Sequence, residues 1–272
     1  MACRDAYEME LTNQNEVADV DQSEETVMTE NLFPTDRLLF GVDSKVQADD
    51  ILQNNLTEFE WVTRNKLYPN FWGRHITGAK ALTKEEIAFI HKKGCKIAAI
   101  YDGDIDAMET EEDGSAQAEK AVLAAFKLGI PEGTAIFLEL LESANATAEY
   151  MKGYARGLLA EGYLPGFKAN TDANYSFDRE YSRGMQDVPE LFGQCLVWAV
   201  APSLEEYDHI TTTHLIHPDD WTPYAPSGIT RDDIAVWQYG KECHPIRNDR
   251  GEETFFHIDL VKDEDILINK MF

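Results

Sequence analysis

Six short apolar runs are spread along the chain, and each carries an acid or an aromatic at or near its end: Phe40-Gly-Val-Asp43, Phe71-Trp-Gly-Arg74, Ile97-Ala-Ala-Ile-Tyr101-Asp102, Ala135-Ile-Phe-Leu-Glu139, Val236-Trp-Gln-Tyr239 and Phe256-His-Ile-Asp259. Runs of this length fit buried strands. Segments with helical periodicity lie between most of them, and strand-helix alternation builds a mainly parallel sheet. Such a scaffold gathers polar strand ends into one mouth, where a β/α barrel places its chemistry.

Leu38–Asp43 reads as the first strand, and Asp49–Leu67, with Ile51, Leu52, Leu56 and Phe59 near helical spacing, as the helix behind it. Phe71–Ile76 follows as a strand. Thr83 and Glu86 then have the spacing of a capping box, and Gly94 closes that helix. Lys96–Tyr101 is the third strand, and a helix from Ser115 to Leu128 presents Ala118, Ala121, Val122, Ala125 and Phe126 on one face. Its small residues predict close packing against the sheet. Thr134–Leu141, Tyr163–Lys168, Cys195–Val200, Ile234–Tyr239 and Phe255–Leu260 complete a set of eight strands, with a helix from about Ala146 to Ala160 carrying Tyr150, Tyr154 and Leu158. The expected fold is an α/β, TIM-type (β/α)8 barrel with parallel strands and degenerate last units, because the connections around Asn248–Gly251 are too short for full helices. The stretch Thr211–Ile229, rich in Pro, Thr and His, reads as a long loop over one rim.

Residues 1–36 hold ten acids against one base, Arg4, with little apolar periodicity, and are expected to form an acidic, disordered tail before a barrel domain over 37–272. That tail contributes about -9 to the net charge of -26 and leaves -17 on the rest. Charge of this sign repels nucleic acid and anionic membrane surfaces, so neither is expected as a partner. No signal peptide opens the chain and no apolar run approaches membrane-spanning length, which predicts a cytoplasmic protein or one released without a leader. Cys3, Cys95, Cys195 and Cys243 are far apart and lack metal-ligand spacing, so reduced thiols are expected.

Asp43, at a strand end, either faces the barrel mouth, caps the next helix or pairs with Arg74. Glu139 lies among leucines, where a carboxylate must be hydrogen-bonded, paired or protonated with a raised pKa. Period-two alternation sets Glu139 with Phe137 and Leu141 on one face and Glu142 on the other, where it serves as a helix cap. Asp102, Asp104 and Asp106 are spaced like the start of a calcium loop, but Ala107 stands where that loop needs glycine and Asp113 where it needs glutamate, so only Asp102 is retained for the pocket. His209, His214, His217, Asp219 and Asp220 sit in an irregular segment without a helix to align them, and no metal is assigned. Trp198, Trp237, Gln238 and Tyr239 would offer flat apolar faces and an amide to sugar rings, or serve as core. No G-x-S-x-G, Walker or G-x-G-x-x-G motif occurs, so no cofactor is expected and carboxylate chemistry remains.

Phe40-Gly-Val-Asp-Ser44, Gly73-Arg74-His-Ile, Leu82-Thr-Lys-Glu-Glu86, Ile97–Tyr101, the Gly114/Ala118/Ala121 helix ending Leu128-Gly-Ile-Pro131, and Trp237-Gln-Tyr239 together resemble the glycoside-hydrolase-like barrel of domain-of-unknown-function family 1906, which is similar to the family 25 lysozymes. The resemblance runs from about residue 38 to 265. It implies a TIM-type barrel acting on peptidoglycan or another glycan, with Asp43 as the first-strand aspartate, Glu139 as the first acid of the fourth-strand pair and Asp259 as the acid of the final strand. Leu141 replaces the second fourth-strand acid of that pattern. Two readings follow: a glycoside hydrolase with Glu139 as proton donor and Asp43 or Asp102 as second carboxylate, or a glycan-binding or regulatory barrel without catalysis. A divalent-metal enzyme using the acidic loop is a third. Arg74, Tyr101, Trp198, Trp237, Gln238, Tyr239 and Asp259 are the residues expected to contact the glycan, and the sequence names no protein partner.

Overall fold

The computed structural model describes residues 38–103, 108–140, 145–211, 218 and 220–272. The expected acidic tail lies outside them. Eight strands close a barrel in chain order: β1 Leu39–Ser44, β2 Phe71–His75, β3 Lys96–Asp102, β4 Ala135–Leu140, β5 Leu164–Ala169, β6 Leu196–Ala199, β7 Ile234–Arg247 and β8 Glu253–Val261. The helices α1 Glu58–Arg64, α2 Lys84–Lys92, α3 Glu111–Leu128, α4 Ala148–Ala160, α5 Ser176–Asp187 and α6 Pro189–Phe192 connect the first six strands. β1 to β7 pair in parallel, as each helical crossover requires.

The eighth strand departs from the expected all-parallel ring. β7 runs on to Arg247 and returns through a tight turn, so β8 is antiparallel to both β7 and β1. Asn248 makes the turn: its side-chain oxygen accepts from the amides of Arg250 and Glu252, and Gly251 takes the left-handed φ of 83° that the reversal needs. The top of β8 is therefore its N-terminal half.

Two other local expectations are revised. The helix read over Asp49–Leu67 is only α1, because Ile51 bridges to Thr57 and Leu52 to Asn248, which spends their backbone groups outside a helix. The Thr83/Glu86 capping box is half made. Thr83 accepts from the Glu86 amide, but the Glu86 carboxylate goes to Arg74 and to the Ala48 amide instead of returning to the cap. The small residues of α3 pack closely on α4: a Cβ on Gly114 would stand 2.0 Å from the Tyr150 carbonyl oxygen, and one on Gly153 would stand 1.9 Å from that of Glu111. No helix among the described residues is long and apolar enough to cross a membrane.

Period-two alternation divides the strand residues into two buried sets. Phe40, Val42, Trp72, Ile97, Ile136, Leu138 and Phe167 face outward and meet the helices. Leu39, Phe71, Ile100, Phe137, Trp198, Val236 and Val261 fill the barrel itself. Trp198 is the centre of this inner plug, edge-on to Phe137 at 5.3 Å and to Phe71 at 6.3 Å. Glycine makes room for it, since a Cβ on Gly73 would lie 2.6 Å from Asp43 Cβ and 2.7 Å from the Trp198 ring. Above the aromatic plug, the same inward positions become polar.

Candidate functional site

Continuing the inward parity along each strand reaches Asp43 on β1, His75 on β2, Asp102 on β3, Glu139 on β4, Lys168 on β5, Gln238 on β7, and Asp259 and His257 on β8. Lys168 organises this ring. Its ammonium lies 2.8 Å from Asp43 Oδ1 and 3.3 Å from Glu139 Oε1, and 4.9 Å from the centre of the Trp198 ring. A buried ammonium survives only where carboxylates and a π face replace its water. Burial would lower the Lys168 pKa, but Asp43 and Glu139 outweigh it and the value is raised, so the group is a fixed cation.

The carboxylates respond in kind. Burial pushes Asp43 upward, yet the Lys168 ammonium holds it below the ordinary carboxylate range. Glu139 is also lowered: burial raises it, and Lys168, His75 and Lys45 more than compensate. Asp102 is lowered against its burial by His75, whose Nδ1 is 2.9 Å from Asp102 Oδ2. Asp259 behaves oppositely. It is wholly buried, takes the Trp198 indole N–H at 2.9 Å, and is raised by burial and by the charge of Asp43, so it holds the proton of that pair. His257 is lowered by burial and stays neutral.

Lys45, Glu139, Lys168, Gln238, Phe255 and His257 line a cavity of about 300 Å³ at the mouth, which also reaches Asn170. A second cavity of about 470 Å³ begins at Thr171, the next residue, and extends past Asp172, Asn174, Tyr224 and Arg231. Both are lined by residues that follow the end of β5, Asn170 in the first and Thr171 in the second. One ligand atom from each of His75, Asp102 and Glu139 lies within 4.8 Å of the other two, a set that could hold a metal ion.

A glycoside-hydrolase-like family model matches residues 68–262, most of the barrel. The chain belongs to the Rv2525c-like, glycoside hydrolase-like domain family. An uncharacterized B. stearothermophilus protein is similar in structure, with 25% identity, a TM-score of 0.70, and coverage of 86% of this chain and all of that one. The Mycobacterium tuberculosis Tat-secreted protein Rv2525c, in complex with HEPES, is 14% identical over 84% of this chain and 96% of its own, with a TM-score of 0.49. The catalytic domain of endolysin ply40 from bacteriophage P40 of Listeria monocytogenes is 15% identical over 85% and 96%, also at 0.49. These last two are too distant to bear on the site. No curated protein matches the chain in sequence.

Within this glycoside hydrolase-like domain the structure brings together Asp43, Asp102, Glu139, Trp198, Gln238 and Asp259 from the expected set. It places the other four on the outer face. Arg74 is bound to Glu86, to the Ser44 carbonyl and to the Lys80 carbonyl; Tyr101 donates to Gln117 and stacks on Tyr154. Trp237 donates to the Pro202 carbonyl and Tyr239 packs edge-on against Tyr207. Each stands one residue out of phase with an inward neighbour, so strand parity alone directs it to the helices. Asp43 pairs with neither Arg74 nor a helix end. Asp113, read against a calcium loop, accepts from the amide of Thr110, the N-cap of α3, and His209 pairs with Glu242 at the surface. Asp104, Asp106, Ala107, Leu141, Glu142, His214, His217 and Asp219 lie outside the described residues.

Lys168, His75, His257 and Lys45 were not singled out from sequence. The signal was available for two of them: Lys168 lies two residues beyond Gly166 and His75 two beyond Gly73, on the inward parity of otherwise apolar strands. Lys45 and His257 needed the strand termini and the reversed β8.

Proposed function

We propose that the barrel mouth binds a glycan of the peptidoglycan or chitooligosaccharide kind and does not cleave it through Asp43 and Glu139. Membership of a glycoside-hydrolase-like family supports the ligand class, as do the carboxylate, amide and ammonium side chains of Glu139, Asn170, Gln238 and Lys45 in the cavity lining, which can bond sugar hydroxyls. The observation that carries the second half is Lys168. Acid-assisted cleavage of a glycosidic bond needs a protonated group beside the leaving oxygen. The ammonium holds Asp43 and Glu139 as carboxylates from the space between them, and the acid raised by its surroundings, Asp259, is sealed beneath the mouth. Glu139, which lines the cavity, then acts as a hydrogen-bond acceptor for hydroxyls.

The test pairs calorimetric titration of chitotetraose and soluble peptidoglycan fragments with a reducing-end assay on the same glycans. Saturable binding, weakened by Gln238→Ala and by Glu139→Gln, with no new reducing ends, is the expected result. Sugar release abolished by Glu139→Gln would overturn the non-hydrolytic reading, and absence of binding to every glycan tried would overturn the ligand class.

A further inference from the structure

We propose that His75, Asp102 and Glu139 form a binding site for one divalent transition-metal cation at the edge of the mouth. The three come from neighbouring strands, β2, β3 and β4, and Asp102 and Glu139 are direct register partners. Their candidate ligand atoms lie within 4.8 Å of one another, so small side-chain rotations bring them onto one ion. The independent sign of a ligand is His75 itself. It is 4% exposed, and its Nε2 makes no hydrogen bond. Asp102 Oδ2 is 2.9 Å from Nδ1 and Glu139 Oε2 is 4.0 Å from Nε2, so both carboxylates converge on the imidazole, and Nε2 is the nitrogen left without a close partner. A buried polar nitrogen in that condition calls for a partner, and an ion between the three groups supplies one.

The surroundings suit a cation. Lys168 grips Glu139 by Oε1, which fixes the carboxylate and leaves Oε2 turned toward His75, the kind of outer support that metal ligands receive. Lys45 lies 3.7 Å from Glu139 Oε2, but its side chain is 65% exposed and can swing to solvent. One imidazole and two carboxylates favour Zn2+ or Mn2+ over Ca2+ and Mg2+, which take oxygen ligands alone. Asp102 is 43% exposed in its side chain and Glu139 borders the cavity, so further coordination positions face water.

The full-length protein, stripped with chelator, is titrated with ZnCl2 and MnCl2 by calorimetry, with MgCl2 as comparison. One Zn2+ or Mn2+ per chain is expected, with affinity falling at least about tenfold in His75→Gln and in Asp102→Asn and unchanged in His209→Ala. No binding of either cation, or binding that His75→Gln leaves untouched, would overturn the site. Should a variant fail to fold, paramagnetic broadening by Mn2+ in the wild type decides the matter: loss of the His75 ring signals supports the site, and loss confined to His209 refutes it.

Discussion

Replacing Lys168 by Met keeps most of the stem and removes the charge, which tests whether one ammonium sets the state of the whole ring. Asp43 is 1% exposed and Glu139 has 13% of its side chain exposed, and Lys168 is their shared partner at 2.8 and 3.3 Å. Breaking a buried pair by deleting one member costs about 3–5 kcal/mol. For a domain of this size that corresponds to a fall in Tm of roughly 6–20 °C. The pH dependence is the sharper signature. In the wild type, Asp43 and Glu139 have depressed folded pKa values, so their contribution is fully present above the unfolded values of about 4 and lost only as pH falls through the folded ones. Lys168 has a raised folded pKa, so its contribution is fully present below about 10.4 and lost as pH rises through the folded value. Neither changes between pH 5 and 8. Without the ammonium, Asp43 loses its strongest lowering partner and burial dominates, so the variant regains stability by taking up a proton as pH falls, at about 1.4 kcal/mol per pH unit for each proton bound. Urea unfolding of both proteins at pH 5, 6, 7 and 8 should give a stability difference that grows with pH. A difference below about 1 kcal/mol, or one constant over that range, would refute the role assigned to Lys168.

Three further outcomes follow from the same geometry. Gly73→Ala places a methyl 2.6 Å from Asp43 Cβ and 2.7 Å from Trp198, so urea unfolding should report a loss of about 1–3 kcal/mol, and calorimetry a weaker glycan affinity. Glu58 is buried and pushed up to about 8, chiefly by desolvation against the hydrogen bond from Ser44 and the charge of Arg74. Because the folded protein keeps that proton while the unfolded chain releases it above about 4.3, wild-type stability should fall by about 1.4 kcal/mol per unit from roughly pH 5 to 8. Glu58→Gln should remove that slope in denaturant melts. Arg74→Met deletes the buried partner of Glu86 and should cost about 3–5 kcal/mol in urea, while the folded variant binds glycan as the wild type does, since Arg74 faces the helices.

The strands were legible because each is a short apolar run bounded by turn signals, and the expected boundaries differ from the observed ones mainly at the ends. The helices α3 and α4 were legible for the same reason, with Gly129 in the left-handed conformation closing the first and Tyr150, Tyr154 and Leu158 all buried on the second. The length of α1 was not, because Ile51 and Leu52 satisfy a helical pattern while their backbones bridge to residues elsewhere. Nor was the direction of β8, which depends on a turn centred on one asparagine.

The site divides along a different line. Strand parity, applied to β4, set Glu139 beside Phe137, and the same rule applied to β2, β3 and β7 turns Arg74, Tyr101, Trp237 and Tyr239 away from the mouth and turns His75, Asp102 and Gln238 into it. What parity cannot supply is the partner. Lys168 and Asp43 are 125 positions apart and meet only because closure of the barrel brings β5 across from β1. A glutamate between leucines carries the information that burial must be compensated, but both a raised pKa and a buried cation satisfy that demand. The choice between them fixes whether Glu139 gives a proton or accepts a hydrogen bond. That choice resides in a lysine on the neighbouring strand, two residues past a glycine that exists to admit Phe137.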